Sequence, residues 1–288
     1  LDTKGSNSVA VGRAALANQN FTSATDTYNT AVGARAGVEV TTGVNNTLIG
    51  GLAGDAITTG SQNTGIGMQS LSANTTGASG TAIGYAALLG NTTGCCNTGL
   101  GKGAMQTNTT GAENVAVGDS ALNKNTTASY NTAIGSLALF DNTTGASNVA
   151  VGYLALGDNT TVDNQTAVGY HALRLNTSGT LSTAIGYAAL QANTTGDSNT
   201  AVGYRPLDSN TTGDSNTAMG RGTMFYNTTG SFNTAYGQEA LAGNTTADNN
   251  AAVGYQALIA NTTGSANTAV GKGAADSITT GSDNTAIG

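Results

Sequence analysis

The tripeptide Asn-Thr-Thr recurs at Asn74, Asn91, Asn108, Asn125, Asn142, Asn159, Asn193, Asn210, Asn227, Asn244 and Asn261, and Asn-Thr-Ser stands at Asn176. Each is an N-x-S/T acceptor sequence, so the row could carry N-linked sugar, or sugar on its Thr hydroxyls. Further acceptor sequences lie at Asn20, Asn45 and Asn164. The competing reading stacks Asn and Thr as hydrogen-bonded ladders at a corner, where their side chains satisfy a turning backbone. An Asn that points inward cannot hold sugar, so the two readings exclude each other at any one repeat. Paired Thr also raise ice binding, although adjacent residues of a strand face opposite ways. Tyr153, Tyr170, Tyr187 and Tyr204 recur at one interval and form a candidate aromatic ladder, a rim around a chain contact or a surface for carbohydrate. Cys95 and Cys96 are adjacent: they are candidates for disulfides, between chains in an oxidising setting, or simply two small residues in a turn.

Little else in the chain is reactive. His171 has no acidic or Cys companion nearby in sequence, and no nucleophile, base and orienter can be assembled, so no enzyme, cofactor or metal is expected. The glycines lack the Lys or the strand-to-helix context of a phosphate cradle, and the GGxGxD pattern of calcium-binding β-rolls is missing. Sixteen acids against nine bases leave a net charge of −7 without a basic stripe, which argues against nucleic acid. No stretch is apolar for the length of a membrane span.

The elements that must position these residues follow from spacing. The glycine closing each NTAVG-like motif falls at Gly33, Gly50, Gly67 and onward to Gly288, always at a step of 17. An earlier copy closes at Gly12, 21 residues before Gly33, which places a four-residue insertion within residues 17–28. Seventeen copies in residues 1–288 read as one array, because a fixed period of this kind marks a solenoid whose units bury their faces against neighbours. The apolar blocks are too short for helices, and Gly and Asn recur where helix interiors resist them. The expectation is therefore all-β: a parallel β-solenoid of 17-residue coils, each about 4.8 Å above the last, or about 77 Å over the array. Composition agrees, since 42 Gly, no Trp and four Phe can fill only a thin core.

Alternation then predicts faces. The branched residue before each motif Gly, from Val32, Ile49 and Ile66 to Val270 and Ile287, is expected to fill the lumen. A second inward column runs through Leu71, Leu88, Leu122, Leu139, Leu156, Leu173, Leu190, Leu207, Leu241 and Leu258. The small residues between Thr and Val, such as Ala31, Gly65, Ala82, Ala116, Ala133 and Ala201, are expected on the outer face, against another backbone.

The runs NSVAVGRAAL (Asn7 to Leu16), NTAVGYRPL (Asn199 to Leu207) and NTAVGKGAA (Asn267 to Ala275) resemble the head repeats of YadA-like trimeric autotransporter adhesins, and related repeats of phage tail fibres and bacterial surface fibres. The resemblance implies a left-handed β-roll, three chains packed side by side with the small-residue face at their contact, and attachment to host matrix, receptor or glycan. The repeat here is longer by the NTTG block. The reading is an extracellular structural fibre or adhesin shaft or head, on a cell surface or virion. The alternatives are a glycan-coated single-chain filament, or a solenoid that binds ice or carbohydrate through Thr, Asn or Tyr ladders. A start at Leu1 and an uncapped last copy at Gly288 agree with a piece of something longer.

Overall fold

A computed structural model describes residues 4–288. They form a parallel β-solenoid of about 17 turns, built from three-residue strands separated by turns, with no helix among the described residues. None is therefore long and apolar enough to cross a membrane.

The chain divides into two compact units, Leu1–Ala146 and Ser147–Gly288. In the first, β1 (Gly5–Ser6) pairs with β3 (Thr25–Asp26) beside the main ladder of β2 (Val9–Val11), β4 (Thr30–Val32), β5 (Thr47–Ile49), β6 (Thr64–Ile66), β7 (Thr81–Ile83), β8 (Thr98–Leu100), β9 (Val115–Val117) and β10 (Thr132–Ile134). In the second the ladder is β11 (Val149–Val151), β12 (Thr166–Val168), β13 (Thr183–Ile185), β14 (Thr200–Val202), β15 (Thr217–Met219), β16 (Thr234–Tyr236), β17 (Ala251–Val253), β18 (Thr268–Val270) and β19 (Thr285–Ile287). Within each ladder like pairs with like: Thr183 lies beside Thr200, Ala184 beside Ala201 and Ile185 beside Val202. The first step is longer, with Val9 beside Thr30. Asn20 N already donates to Thr41 O, so the extra residues lie between Asn20 and Thr30.

The turn after each strand belongs to the motif Gly. Gly84 has φ +135°, and a Cβ there would lie 2.6 Å from Gly101 O and 2.7 Å from its carbonyl carbon. Only glycine allows one coil to settle onto the next at that corner.

The strand faces are the reverse of the expectation. The middle residue points inward: Ala82, Ala116, Ala133, Ala184 and Ala201 have no exposed surface. The residue before the motif Gly points outward, with Ile49, Leu100, Ile134, Ile185 and Val270 all near 40% exposed. The lumen does not accept the branched column because the second column already fills it. Leu71, Leu88, Leu122, Leu139, Leu156, Leu173, Leu190, Leu207, Leu241 and Leu258 are fully buried, as their spacing predicts. A Cβ on Gly99 would stand 3.4 Å from both Leu88 Cγ and Ala104 O, which leaves room for a methyl group and nothing larger. The small-residue face is thus interior and cannot meet another chain.

Candidate functional site

Two Asn columns line one inner corner of most coils. The Asn of every NTT from Asn74 to Asn142 in the first unit, and from Asn159 to Asn261 in the second, is buried, Asn176 included. Asn108 Nδ2 donates to Asn91 Oδ1 at 2.7 Å and to Gly111 O at 2.9 Å. The same Gly111 carbonyl accepts from Asn97 Nδ2 at 2.7 Å, across the coil. Gly213 O in the second unit likewise accepts from Asn199 and Asn210. The Asn that opens each strand motif adds a rung along the axis: Asn114 N donates to Asn97 Oδ1, and Asn131 N to Asn114 Oδ1. Most turn carbonyls and amides of this corner are thereby satisfied away from water; Asn250 Nδ2 and Asn261 Oδ1, towards the end of the array, are buried without a partner. An N-linked sugar needs an accessible Nδ2, and none of the twelve Asn of the NTT and NTS motifs presents one in the folded coil; for them the ladder reading matches the geometry. The acceptor sequences at Asn20, Asn45 and Asn164 are exposed.

The two Thr of each motif part ways. The first is half-buried, and its hydroxyl donates to the same residue's carbonyl one coil on, as from Thr92 to Thr109 O at 3.0 Å and from Thr211 to Thr228 O at 3.1 Å. The second, at Thr93, Thr110, Thr195 and Thr212, is exposed.

The tyrosine ladder is real in the second unit. Tyr153 and Tyr170 stack at 5.5 Å, Tyr170 and Tyr187 at 5.2 Å, and Tyr187 and Tyr204 at 5.1 Å. Face-to-face stacking covers both faces of Tyr170 and Tyr187, so the middle of the ladder offers ring edges and hydroxyls. His171 joins the stack 3.9 Å from Tyr170, and partial burial, with the nearby Arg174 charge, pulls its pKa below the usual value. No known protein family and no curated protein matches the chain. The site must be read from its own chemistry.

Cys95 and Cys96 are free thiols on a spacer turn, Cys96 exposed. A hydrogen bond with Cys95 is the main cause that pushes the Cys96 thiol above its ordinary value.

Two features went unread in the sequence. One is the outward direction of the strand face that Thr and a branched residue share in coil after coil. Its signal was present: where the middle residue grows to Leu48, the inward Leu four residues after the motif Gly shrinks to Gly37 and Gly54. The other is a groove of about 500 Å³ beyond Tyr204, among Arg205, Arg221, Phe225, Tyr226 and Glu239. The interruption of the Tyr column by Arg221-Gly222, and the small pair Ala242-Gly243, mark it in the sequence.

Proposed function

We propose that the chain is a segment of an extracellular fibre, a shaft or adhesin head in which three left-handed coils associate and display identical groups at each step. The outer strand face carries this reading. It consists of Thr and Val or Ile, with Leu100, Met219, Tyr236 and Ala251 as variants, and no charged residue stands at either outward position of β2 or β4 to β19. A repeated uncharged ribbon at half exposure is the kind of surface that another chain covers. The resemblance to YadA-like heads supplies the trimer and the hand; the contact moves from the small residues, which are interior, to this ribbon. Groups repeated about every 4.8 Å let weak contacts with a host receptor or glycan add through avidity. Light scattering of the purified chain tests it: a particle near three times 28.2 kDa is expected, and one of 28.2 kDa removes the trimer.

The same ribbon favours a second reading. Thr and branched residues in flat, in-register ranks can order water against ice, and a covered ribbon cannot do so. A single-chain mass with thermal hysteresis near freezing supports ice binding, and a trimer without hysteresis supports the fibre.

A further inference from the structure

The groove beyond Tyr204 occurs once, so it stands apart from the fibre reading, which rests on features of every coil. It exists because three positions carry the smallest residues, Gly222, Ala242 and Gly243. Gly222 occupies the place that Leu154, His171, Ala188, Arg205, Glu239 and Gln256 hold in other coils of this unit, with Gly273 near the end of the array the one other glycine there. One coil later, Ala242 and Gly243 follow the bulky Phe225 and Tyr226. The space left, about 500 Å³, is within the usual range of small-molecule sites.

Its lining combines an aromatic face with a donor and an acceptor that are not spent on each other. Tyr204 ends the ladder: Tyr187 covers one face of its ring, no ring stacks on the other, and the residue borders the groove. Arg205 is neutralised by Asp208, with bonds of 3.1 and 2.8 Å, and lies over the Phe225 ring at 4.8 Å. Arg221 is exposed, and among the described residues no hydrogen bond or ion pair holds its guanidinium. Glu239 accepts from Gln256 Nε2 at 2.8 Å and Gln238 Nε2 at 3.3 Å, and these bonds hold its carboxyl below the usual range. It is therefore an oriented carboxylate at neutral pH, with lone pairs to spare.

One free cation and one fixed anion make the groove close to neutral, so a charged ligand of either sign meets a like charge. A ligand with an apolar face for Tyr204 and hydroxyls that both donate and accept meets neither penalty. We propose that this groove binds a neutral hexose oligosaccharide, one ring against Tyr204 and its hydroxyls between Arg221 and Glu239.

Titration calorimetry of the full chain with cellotriose, maltotriose and mannotriose, and with trigalacturonate as the acidic control, tests this. At least one neutral trisaccharide is expected to bind with Kd below about 10 mM and more tightly than the acidic control. Gly222→Leu, which fills the groove, and Arg221→Gln are each expected to weaken binding by about tenfold or more. Tyr85→Ala, in the same column of the other unit, is expected to leave it unchanged. Gly222→Leu is compatible with the coil, because Leu137 and Leu154 hold the equivalent position at φ 58° and 53°; should it not fold, Arg221→Gln on the exposed rim still decides. No binding by the three neutral sugars, tighter binding of trigalacturonate, or binding that survives the folded Gly222→Leu or the Arg221→Gln change overturns the proposal.

Discussion

Two regions of the first unit solve the same corner differently. Around Leu48 the interior is apolar: Leu16, Ala31, Ala36, Val40, Leu48, Ala53 and Ile57 form one buried cluster, with Val40 and Ile57 at the position that Asn takes from Asn74 onward. Leu48 occupies the small-residue column, and Gly37 and Gly54 make way for it, since a Cβ at either would come within 2.8 Å of a Leu48 methyl. From Asn74 to Asn142 the corner is polar, and Leu, Met or Ala fill the remaining space. Both regions keep the Asn that reaches across to the turn carbonyl, as Asn46 does to Gly60 O at 2.9 Å and Asn97 to Gly111 O at 2.7 Å. The coil thus tolerates either hydrocarbon or a completed hydrogen-bond ladder at this corner, provided no polar group is left unpaired and no volume is left empty.

Overfilling the polar region should break it hardest. Gly99→Leu places in the Asn region the residue that Leu48 is in the apolar one, but Leu88 and Met105 leave it no space. A loss of about 3 kcal/mol or more is expected by denaturant unfolding. Adding Leu88→Gly and Met105→Gly, which copies the arrangement around Leu48, should recover part of that loss, so the three changes are strongly non-additive.

Emptying the apolar region comes next. Leu48→Ala should lower stability by about 3 kcal/mol, because flanking glycines cannot collapse into the cavity. Asn108→Ala should remove about 2 kcal/mol: it deprives Asn91 Oδ1 of its shorter donor, leaving the 3.4 Å bond from Asn97 Nδ2, and Asn125 Nδ2 of one acceptor. Equal stability of the Asn108→Ala chain and the parent would mean that the ladder contributes nothing.

Smaller effects separate the two Thr of the motif. Thr109→Val loses the bond from its hydroxyl to Thr126 O, worth about 1 kcal/mol, whereas Thr110→Val on the exposed side should leave the unfolding midpoint in place.

The smallest effect is a pH dependence in the Tyr ladder. His171 has a folded pKa below its unfolded value, so the unfolded chain binds the proton more readily as pH falls through about 6.5. Its contribution is present above that pH and lost below it. The parent should therefore lose slightly more thermal stability between pH 7 and 5 than His171→Leu, in which Leu takes the form already present at Leu154.

The period, the parallel ladder, the inward Leu column and the stacked tyrosines were all legible in the sequence, because each is a consequence of spacing by 17. The strand faces were not. Alternation says only that Ala184 and Ile185 point opposite ways; which one enters depends on the space left by Leu190 and the Asn columns, a property of the closed coil. The trade of Leu48 against Gly37 and Gly54 encodes the answer, but its meaning emerges once those residues are known to touch. The groove was hidden for a similar reason, since Tyr204, Arg221 and Glu239 lie on successive coils and only the fold brings them to one place.

The central claim is that the Asn side chains are interior structural groups. Hydrogen exchange of Asn side-chain amides, followed by NMR on the folded full chain, tests it most directly. The Nδ2 protons of Asn91, Asn108 and Asn125 should exchange as slowly as ladder backbone amides, while those of exposed Asn45 and Asn164 exchange at the rate of free peptide. Rapid exchange at Asn91, Asn108 and Asn125 would contradict the account.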